Sequence, residues 1–512
     1  MHGRVAFSPS SEGRGTFGPA WERVPFLALS SLLWFDLQRV LAESWKVVAS
    51  VVAGLVALLA AGHVVLHKRD VRAALGWVGL IAFAPVIGTV AYLVFGVNRI
   101  RRRAQALRLP EVRARPEDRP PAPPLPPEAE HLSPLIRLSD AVVRRPLVAG
   151  NAISLLQGGA LAYPAMLSAI GAAERSVTLC TYIFDPGLVG DAFVEALAAA
   201  KERGVQVRVL IDAIGVRYRW PPIHRRLRER GVRTALFLPR LTPVWLPFVN
   251  LRNHRKILVV DGRIGFTGGM NIRDTFMPSE RRPEPFVDLQ ARVEGPVVAQ
   301  LQSAFAEDWL FTTRETLDGP AFFPPAVSAG PVVARGIPDG PDEDFETIRF
   351  VLLGAIAAAR ERIRIVTPYF LPDQSLITAL DVAALRGVEV DVVLPEKGNL
   401  PIVEWAQNAQ LWQVLDHGCR VYTTPRPFDH TKAMTVDGAW TLLGSSNWDP
   451  RSLRLNFELD VEAFGKGVAN DLDALIDARL AAARPVTLDD VDRRPLPLRL
   501  RDGVARLFTP YL

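Results

Sequence analysis

The chain is poor in the residues that build disulfide frameworks and metal centres. Its 512 residues include two cysteines, Cys180 and Cys419, far apart in sequence. Two thiols cannot staple a fold, and their scarcity suits a reducing compartment. The eight histidines are scattered singly, whereas a zinc site asks for three or four His, Cys or carboxylate ligands at close spacing. No metal and no cofactor is therefore expected, and no P-loop marks a nucleotide-activated donor. Positive charge is missing where a nuclease would need it. Residues 1–110 hold thirteen Lys/Arg against five Asp/Glu, while the remainder holds 47 against 49. A phosphate-backbone footprint requires a basic face on the reacting part. A basic excess confined to the N-terminal segment fits a membrane-adjacent belt instead, so no nucleic-acid partner is expected.

Charge is also absent from two long runs. Val47–Leu66 is twenty residues without a formal charge, and Ala73–Val97 is longer. Each reaches the roughly 20 residues that a bilayer core requires. The short connection His67-Lys68-Arg69-Asp70-Val71-Arg72 makes them a transmembrane hairpin, and Pro85 and several glycines in the second run are tolerated in membranes. Neither reads as a cleavable signal peptide, because both begin far from the terminus and lack a cleavage pattern. The earlier Val24–Phe35 stretch is too short to span and is expected along the interface. Arg39 and Lys46 precede the hairpin, and Arg99, Arg101, Arg102, Arg103 and Arg108 follow it; the loop holds Lys68, Arg69 and Arg72. The larger count at the outer ends predicts that both termini and the rest of the chain lie on the cytoplasmic side of a multi-pass membrane protein.

What the chain does have is one short sentence written twice. His254-Arg-Lys256-Ile-Leu-Val-Val-Asp261-Gly262 returns as His430-Thr-Lys432-Ala-Met-Thr-Val-Asp437-Gly438. The registers agree beyond the motif: Gly268 and Gly444 follow their lysines by one interval, and Asn271 and Asn447 follow their histidines by another. A carboxylate stands seven residues before a glycine in both copies, Asp288 before Gly295 and Glu458 before Gly465. Asp-Gly between apolar runs signals a type I′ hairpin. The spacing predicts strands over His254–Val260 and Arg263–Thr267, and over His430–Val436 and Ala439–Leu443. Side chains alternate faces along a strand, so each His shares a face with its Lys. Asp261 and Asp437 fall on the other parity and read as turn acids rather than proton carriers.

A histidine beside a lysine suits phosphate ester chemistry. Imidazole attacks phosphorus or passes a proton to a leaving alkoxide, and lysine meets charge on phosphoryl oxygens. Two pairs allow two jobs, a covalent phosphohistidine on one ring and general acid then base on the other. Asp288 and Glu458 can each hold a ring in its productive tautomer, and Asn271 and Asn447 can donate to phosphate oxygens.

The rest of the chain reads as α/β. Residues 109–128 are a Pro-rich tether. "SVTLCTYIF", "DAFVEALAAAKERG" and "VQVRVLIDAIG" give strand, helix, strand from Ser176, and "RIRIVTPYF", "QSLITALDVAALRG" and "VEVDVVLPEKG" repeat the order from Arg362. Strands alternating with amphipathic helices predict a largely parallel sheet. Tyr182 and Tyr369 end matching strands. Trp220, Trp245 and Phe248 mark either a lipid-facing lip or ordinary helix and strand. The organisation expected is an N-terminal segment 1–46, a two-helix anchor 47–98, a basic and Pro-rich linker 99–131, and α/β domains 132–325 and 326–512.

HxKxxxxD used twice resembles the phospholipase D superfamily. "NLRNHRKILVVDGRIGFTGGMNIRD", "TPYFLPD", "GSSNWDPRSLRLNFE" and the anchor "VLHKRD" narrow the resemblance to bacterial cardiolipin synthases of the two-domain type, from about Val47 onward. It implies two duplicated domains about a pseudo-twofold with both His-Lys pairs at the interface. It also implies phosphatidyl transfer between two phosphatidylglycerol molecules, with membrane lipid as partner. The family's motif counts Asp261 and Asp437 with His254, Lys256, His430 and Lys432 as catalytic, and the resemblance makes His254 the nucleophile and His430 the acid. A phospholipase D or a transphosphatidylase with another acceptor is the nearest alternative. A phospholipase-D-fold nuclease or a lipid-binding scaffold is further off. The sequence does not assign an oligomeric state.

Overall fold

The computed structural model describes residues 26–68, 71–96, 122–238, 251–280, 282–341 and 346–511. The chain forms two compact units, residues 1–98 and 99–512.

In the first unit one helix runs from Phe26 to His67. From Phe26 on, the stretch expected to lie separately along the interface is continuous with it. Within it, Glu43–His67 is long and apolar enough to cross a membrane, and no other helix among the described residues is. The second uncharged run is not one continuous helix. It is a helix Val71–Phe83, a helix Pro85–Ala91 and a π-helical turn Tyr92–Gly96. The break falls at Ala84, with φ −138° and ψ 73°, because Pro85 lacks an N–H and drives the preceding residue out of the helical region. Arg69, Arg99, Arg101, Arg102, Arg103 and Arg108, on which the orientation rests, lie outside the described residues.

The described residues of the second unit are built on one sheet of sixteen strands. The first half contributes β1 (Val148–Gln157), β2 (Ser176–Thr181), β3 (Gln206–Asp212), β4 (Arg233–Phe237), β5 (Arg252–Asn253), β6 (Ile257–Val260), β7 (Ile264–Gly268) and β8 (Leu289–Glu294). The second half contributes β9 (Val332–Asp339), β10 (Arg362–Val366), β11 (Glu389–Pro395), β12 (Arg420–Thr424), β13 (Ala433–Val436), β14 (Trp440–Gly444), β15 (Asn456–Phe464) and β16 (Arg484–Val486). The order β4-β3-β2-β6-β7-β8-β1 meets its counterpart β9-β15-β14-β13-β10-β11-β12 at an antiparallel β1/β9 seam, with β16 beyond and β5 beside β15. The duplication read in the sequence is thus a pseudo-twofold about that seam. The sheet is mixed rather than largely parallel. Among the described residues β2-β3-β4 and β10-β11-β12 run parallel, each step joined by a helical crossover, as does the short β5 beside β15; the other ladders are antiparallel.

Helices Val298–Thr313 and Lys466–Ala482 pack in one cluster that both halves share, with Leu301, Phe305, Leu472 and Ile476 fully buried. Packed structure resumes earlier than the expected end of the linker at 131. Ala129 and Leu132 are fully buried, and the helix Ser133–Val142 sets Leu135 and Ile136 against Ile348, Val351 and Leu352 of the second half.

Candidate active site

Two hairpins carry the repeated motif. They turn at Asp261-Gly262, with φ of 52° and 62°, and at Asp437-Gly438, with φ of 53° and 59°. Positive φ at both central positions is what a type I′ turn demands. Asp261 accepts the backbone N–H groups of Glu174, Arg175 and Ser176 at 3.0, 2.7 and 2.9 Å. Asp437 accepts those of Arg360, Glu361 and Arg362 at 2.9, 2.8 and 2.8 Å, and pairs with His131 Nε2 at 2.8 Å. Burial alone would raise the Asp437 carboxyl, but these donors hold it below the ordinary carboxylate range. Each acid clamps the loop entering β2 or β10. Neither lines the cavity that contains the histidines.

The strands start later than the pattern predicts, at Ile257 and Ala433, because the histidines leave their own ladder for the opposite half. His254 N–H donates to Phe457 O at 2.9 Å, and His430 N–H donates to Val287 O at 2.7 Å. The next residue in each acceptor strand is a carboxylate. His254 Nδ1 lies 2.9 and 3.0 Å from the two oxygens of Glu458, and His430 Nδ1 lies 2.7 Å from Asp288 Oδ2. Both carboxylates are fully buried, and each holds the histidine of the other half. A carboxylate only accepts, so Nδ1 carries the proton and Nε2 keeps its lone pair. Ser445 Oγ and Asn456 Nδ2 donate to Glu458 at 2.5 and 3.0 Å and fix it in turn.

Lys256 Nζ and Lys432 Nζ each donate to the carbonyl of their own histidine at 2.5 Å. Burial lowers both lysines and the nearby carboxylates offset it in part, leaving Lys256, which Lys432 also lowers, at about 7 and Lys432 at about 8. Burial and the lysine ammoniums drive His430 down to about 4 and His254 well below its ordinary value. An empty site therefore holds two neutral imidazoles. An anion bound against the lysines would oppose the effect of burial and of the lysine charges, favouring ammonium and imidazolium.

Both histidines line one cavity of about 340 Å³, with Asn271, Asn447, Tyr182 and Tyr369. Asn271 Oδ1 accepts the Ile183 N–H at 3.0 Å, and its amide nitrogen makes no hydrogen bond among the described residues. Asn447 Nδ2 donates to Ser452 Oγ at 3.2 Å, while its buried Oδ1 has no hydrogen-bond partner among the described residues. The two ends of the cavity differ. Tyr182, at 5.2 Å from the His254 ring, shares that end with Tyr218, Arg252 and Arg273. Phe428 and Phe276 stand 5.9 and 6.4 Å from the His430 ring, with Tyr369 also at 6.4 Å. Trp220 is exposed, with Arg225 stacked 5.0 Å from its ring centroid; Trp245 and Phe248 lie outside the described residues.

Sequence reasoning passed over Arg273 and Asp449, which stand 176 residues apart, as the histidines do. Matching the repeat by identity hides positions where the register holds and the charge reverses. Asp449 is buried at the cavity, and burial raises its carboxyl to about 6. Also missed were the ion pairs behind the motif, Arg255–Asp308 at 2.9 Å and Arg479–Asp429 at 2.6 Å.

Comparison with known proteins adds relatives to this geometry. The family described as "Cardiolipin synthase, PLD-like domain" matches residues 166–309 and 352–480, and "Phospholipase_D-nuclease N-terminal" matches 55–96. Cardiolipin synthase A of Pseudomonas putida (strain GB-1) is 32% identical over 90% of this chain and 96% of its own length. Cardiolipin synthase of Geobacillus kaustophilus is 31% identical over 87% of this chain and 90% of its own. Among solved structures, phosphatidylserine synthase of Haemophilus influenzae superposes with a TM-score of 0.58 at 14% identity, covering 74% of this chain and all of that one; that likeness is one of fold.

Proposed function

The chain belongs to the cardiolipin synthase family built on phospholipase-D-like domains, and from that premise we propose that it transfers a phosphatidyl group between two phosphatidylglycerol molecules, giving cardiolipin and glycerol. The observation that carries the proposal is the crossed pair of His–carboxylate contacts opening on one cavity.

With the phosphodiester bound, His430 takes a proton from solvent on Nε2; His254 Nε2 then attacks phosphorus, and the P–O bond to the headgroup glycerol breaks as the His430 imidazolium gives that oxygen its Nε2 proton. His430, now neutral, takes the proton of a hydroxyl on the second lipid's glycerol. That oxygen attacks phosphorus, and the P–N bond to His254 breaks, restoring both rings. Glu458 and Asp288 hold the rings and balance the imidazolium forms. Lys256 and Lys432, with the amides of Asn271 and Asn447, meet charge on the phosphoryl oxygens. Splitting one displacement into two comparable ones suits an exchange between like phosphodiesters. Arg273 favours a lipid acceptor over water, because the second phosphatidylglycerol brings a phosphodiester of its own. Its Nε is held by Asp185 at 2.8 Å, while its terminal nitrogens make no hydrogen bond among the described residues.

The protein is membrane-associated through its N-terminal unit. Two crossings with the catalytic unit on the cytoplasmic face is the arrangement we favour, on the charge distribution around the two uncharged runs. The reaction is tested with labelled phosphatidylglycerol as sole substrate, without nucleotide or added metal. Free glycerol and cardiolipin are expected in equal amounts, with chelator leaving the rate unchanged. Phosphatidic acid as the main product makes the enzyme a phospholipase, and strict dependence on cytidine-diphosphate-diacylglycerol overturns the reaction.

A further inference from the structure

Near its end the chain carries a helix, Leu496–Leu507, whose apolar side faces outward. Leu496, Leu500, Val504 and Leu507 recur at helical spacing, so they form one stripe, and Phe508 extends it. Their exposures run from 51% at Phe508 to 74% at Leu507. None of them joins a hydrophobic cluster. Isolated exposed leucines are ordinary on a protein surface, but an ordered stripe of them marks a contact face.

The helix is nevertheless firmly seated. Its inner side buries Ala505 against Val403 and Ala406 of the helix Pro401–Asn408. Arg501 stacks 4.5 Å from the Trp405 ring centroid, and Arg506 Nη1 donates to Ala409 O at 3.3 Å. The stripe is thus a fixed outward face and not a frayed end. Residues 493–508 hold five arginines and one acid. That acid, Asp502, is buried and already paired with Arg494 at 2.6 Å and Arg501 at 2.8 Å. Arg499 is exposed and forms no ion pair among the described residues.

The supporting helix also begins at the cavity. Leu400 and Ile402 line the cavity containing both histidines, and both are exposed. The amphipathic helix therefore rests on the element that forms part of the cavity's apolar lining.

We infer that the outward face of Leu496–Leu507 docks on an anionic phospholipid surface and presents the cavity to the bilayer, as a second membrane attachment besides the N-terminal unit. The occupant rests on the phospholipid-substrate reading above. An apolar stripe edged with arginine lies in the headgroup boundary with its leucines against acyl chains, and net positive charge complements an anionic leaflet. Substrate entering between Leu400 and Ile402 would then leave the bilayer without first passing its chains through water.

The test uses the full chain reconstituted in vesicles of phosphatidylcholine with an equal part of phosphatidylglycerol. Leu500→Cys carries an environment-sensitive fluorophore, and Leu385→Cys, at an exposed leucine on another helix, serves as reference; the two native cysteines are buried. Acyl-chain-brominated lipid is expected to quench the Leu500 probe several-fold more than the Leu385 probe. The difference should shrink in phosphatidylcholine alone or when Val504→Glu is added. Leu507→Cys repeats the measurement in case the first variant misfolds. Equal quenching at both sites overturns the inference, as does a probe response that follows protein concentration instead of lipid, which would identify a second copy of the chain as the occupant. The readout needs no turnover, so it can fail while the transfer reaction stands, and the reverse.

Discussion

The two halves of the catalytic unit share one plan at the reacting centre and differ in the ion pairs behind it and the side chains in front of it. Each half brings a His and a Lys on a hairpin, takes a carboxylate from the other half, and returns its lysine to its own histidine's carbonyl. Behind the histidines the ion pairs are reversed. In the first half the arginine sits inside the motif, Arg255, and the acid on the following helix, Asp308. In the second the acid precedes the motif, Asp429, and the arginine sits on the helix, Arg479. In front, Tyr182 lies beside the His254 ring and Phe428, Phe276 and Tyr369 around the His430 ring. Chemistry at phosphorus constrains only the groups that touch it. A buried pair must balance its charge, but either partner can carry either sign, and the two cavity ends are free to suit different parts of two lipids.

Removing either histidine is the hardest blow to that symmetry. His254→Ala and His430→Ala should each lower turnover by about 10³-fold or more, and the double variant should be little worse, since the two act in one cycle. Single-turnover assays on folded, inserted protein check this. A variant that kept near wild-type rate would show one half to be ornamental.

The lysines come next. Lys256→Met or Lys432→Met should cost about 10²-fold, the scale of losing one preorganised charge. With Lys256 at about 7 and Lys432 at about 8 in the empty site, kcat/KM should fall as pH rises through that interval, because the ammonium forms are the ones that bind phosphate. The alkaline limb of kcat should lie higher, since a bound phosphodiester anion favours ammonium. Coincident limbs would argue against contact between the lysines and substrate.

The smallest effect belongs to the turn acids. Asp261→Asn and Asp437→Asn keep a residue that tolerates positive φ but weaken charge-assisted bonds to three backbone donors. Each should lose about 1–3 kcal/mol of stability, read by thermal unfolding, with activity reduced less than in Lys256→Met. An equal catalytic loss at unchanged stability would return the motif acids to the chemistry.

The repeat was legible because identical side chains recur at identical spacing, and the Asp-Gly signal marked Asp261 and Asp437 as turn residues. Asp288 and Glu458 were legible as ring-holders, yet nothing local says which ring each holds. The partners are 142 and 204 residues apart, and a pattern read along one strand is silent about the strand lying across from it. Phe276 shows the same gap: it belongs to the first half by sequence and stands beside His430 of the second. The break at Ala84 was readable from Pro85 in principle, but a window of uncharged residues weighs length and polarity and not φ.

The sequence by itself determined the duplicated His-Lys hairpins, the Asp-Gly turns, the α/β alternation and the apolar N-terminal run. These are local properties, set by turn geometry, side-chain period and transfer free energy. Only the tertiary structure decided that the halves exchange their carboxylates, that both histidines open on one cavity, that Arg255 and Arg479 face opposite charges, and that Leu496–Leu507 turns its leucines outward. Those arrangements depend on the β1/β9 seam, where one half completes the other, and a contact between distant strands is an outcome of packing that no stretch of either strand encodes alone.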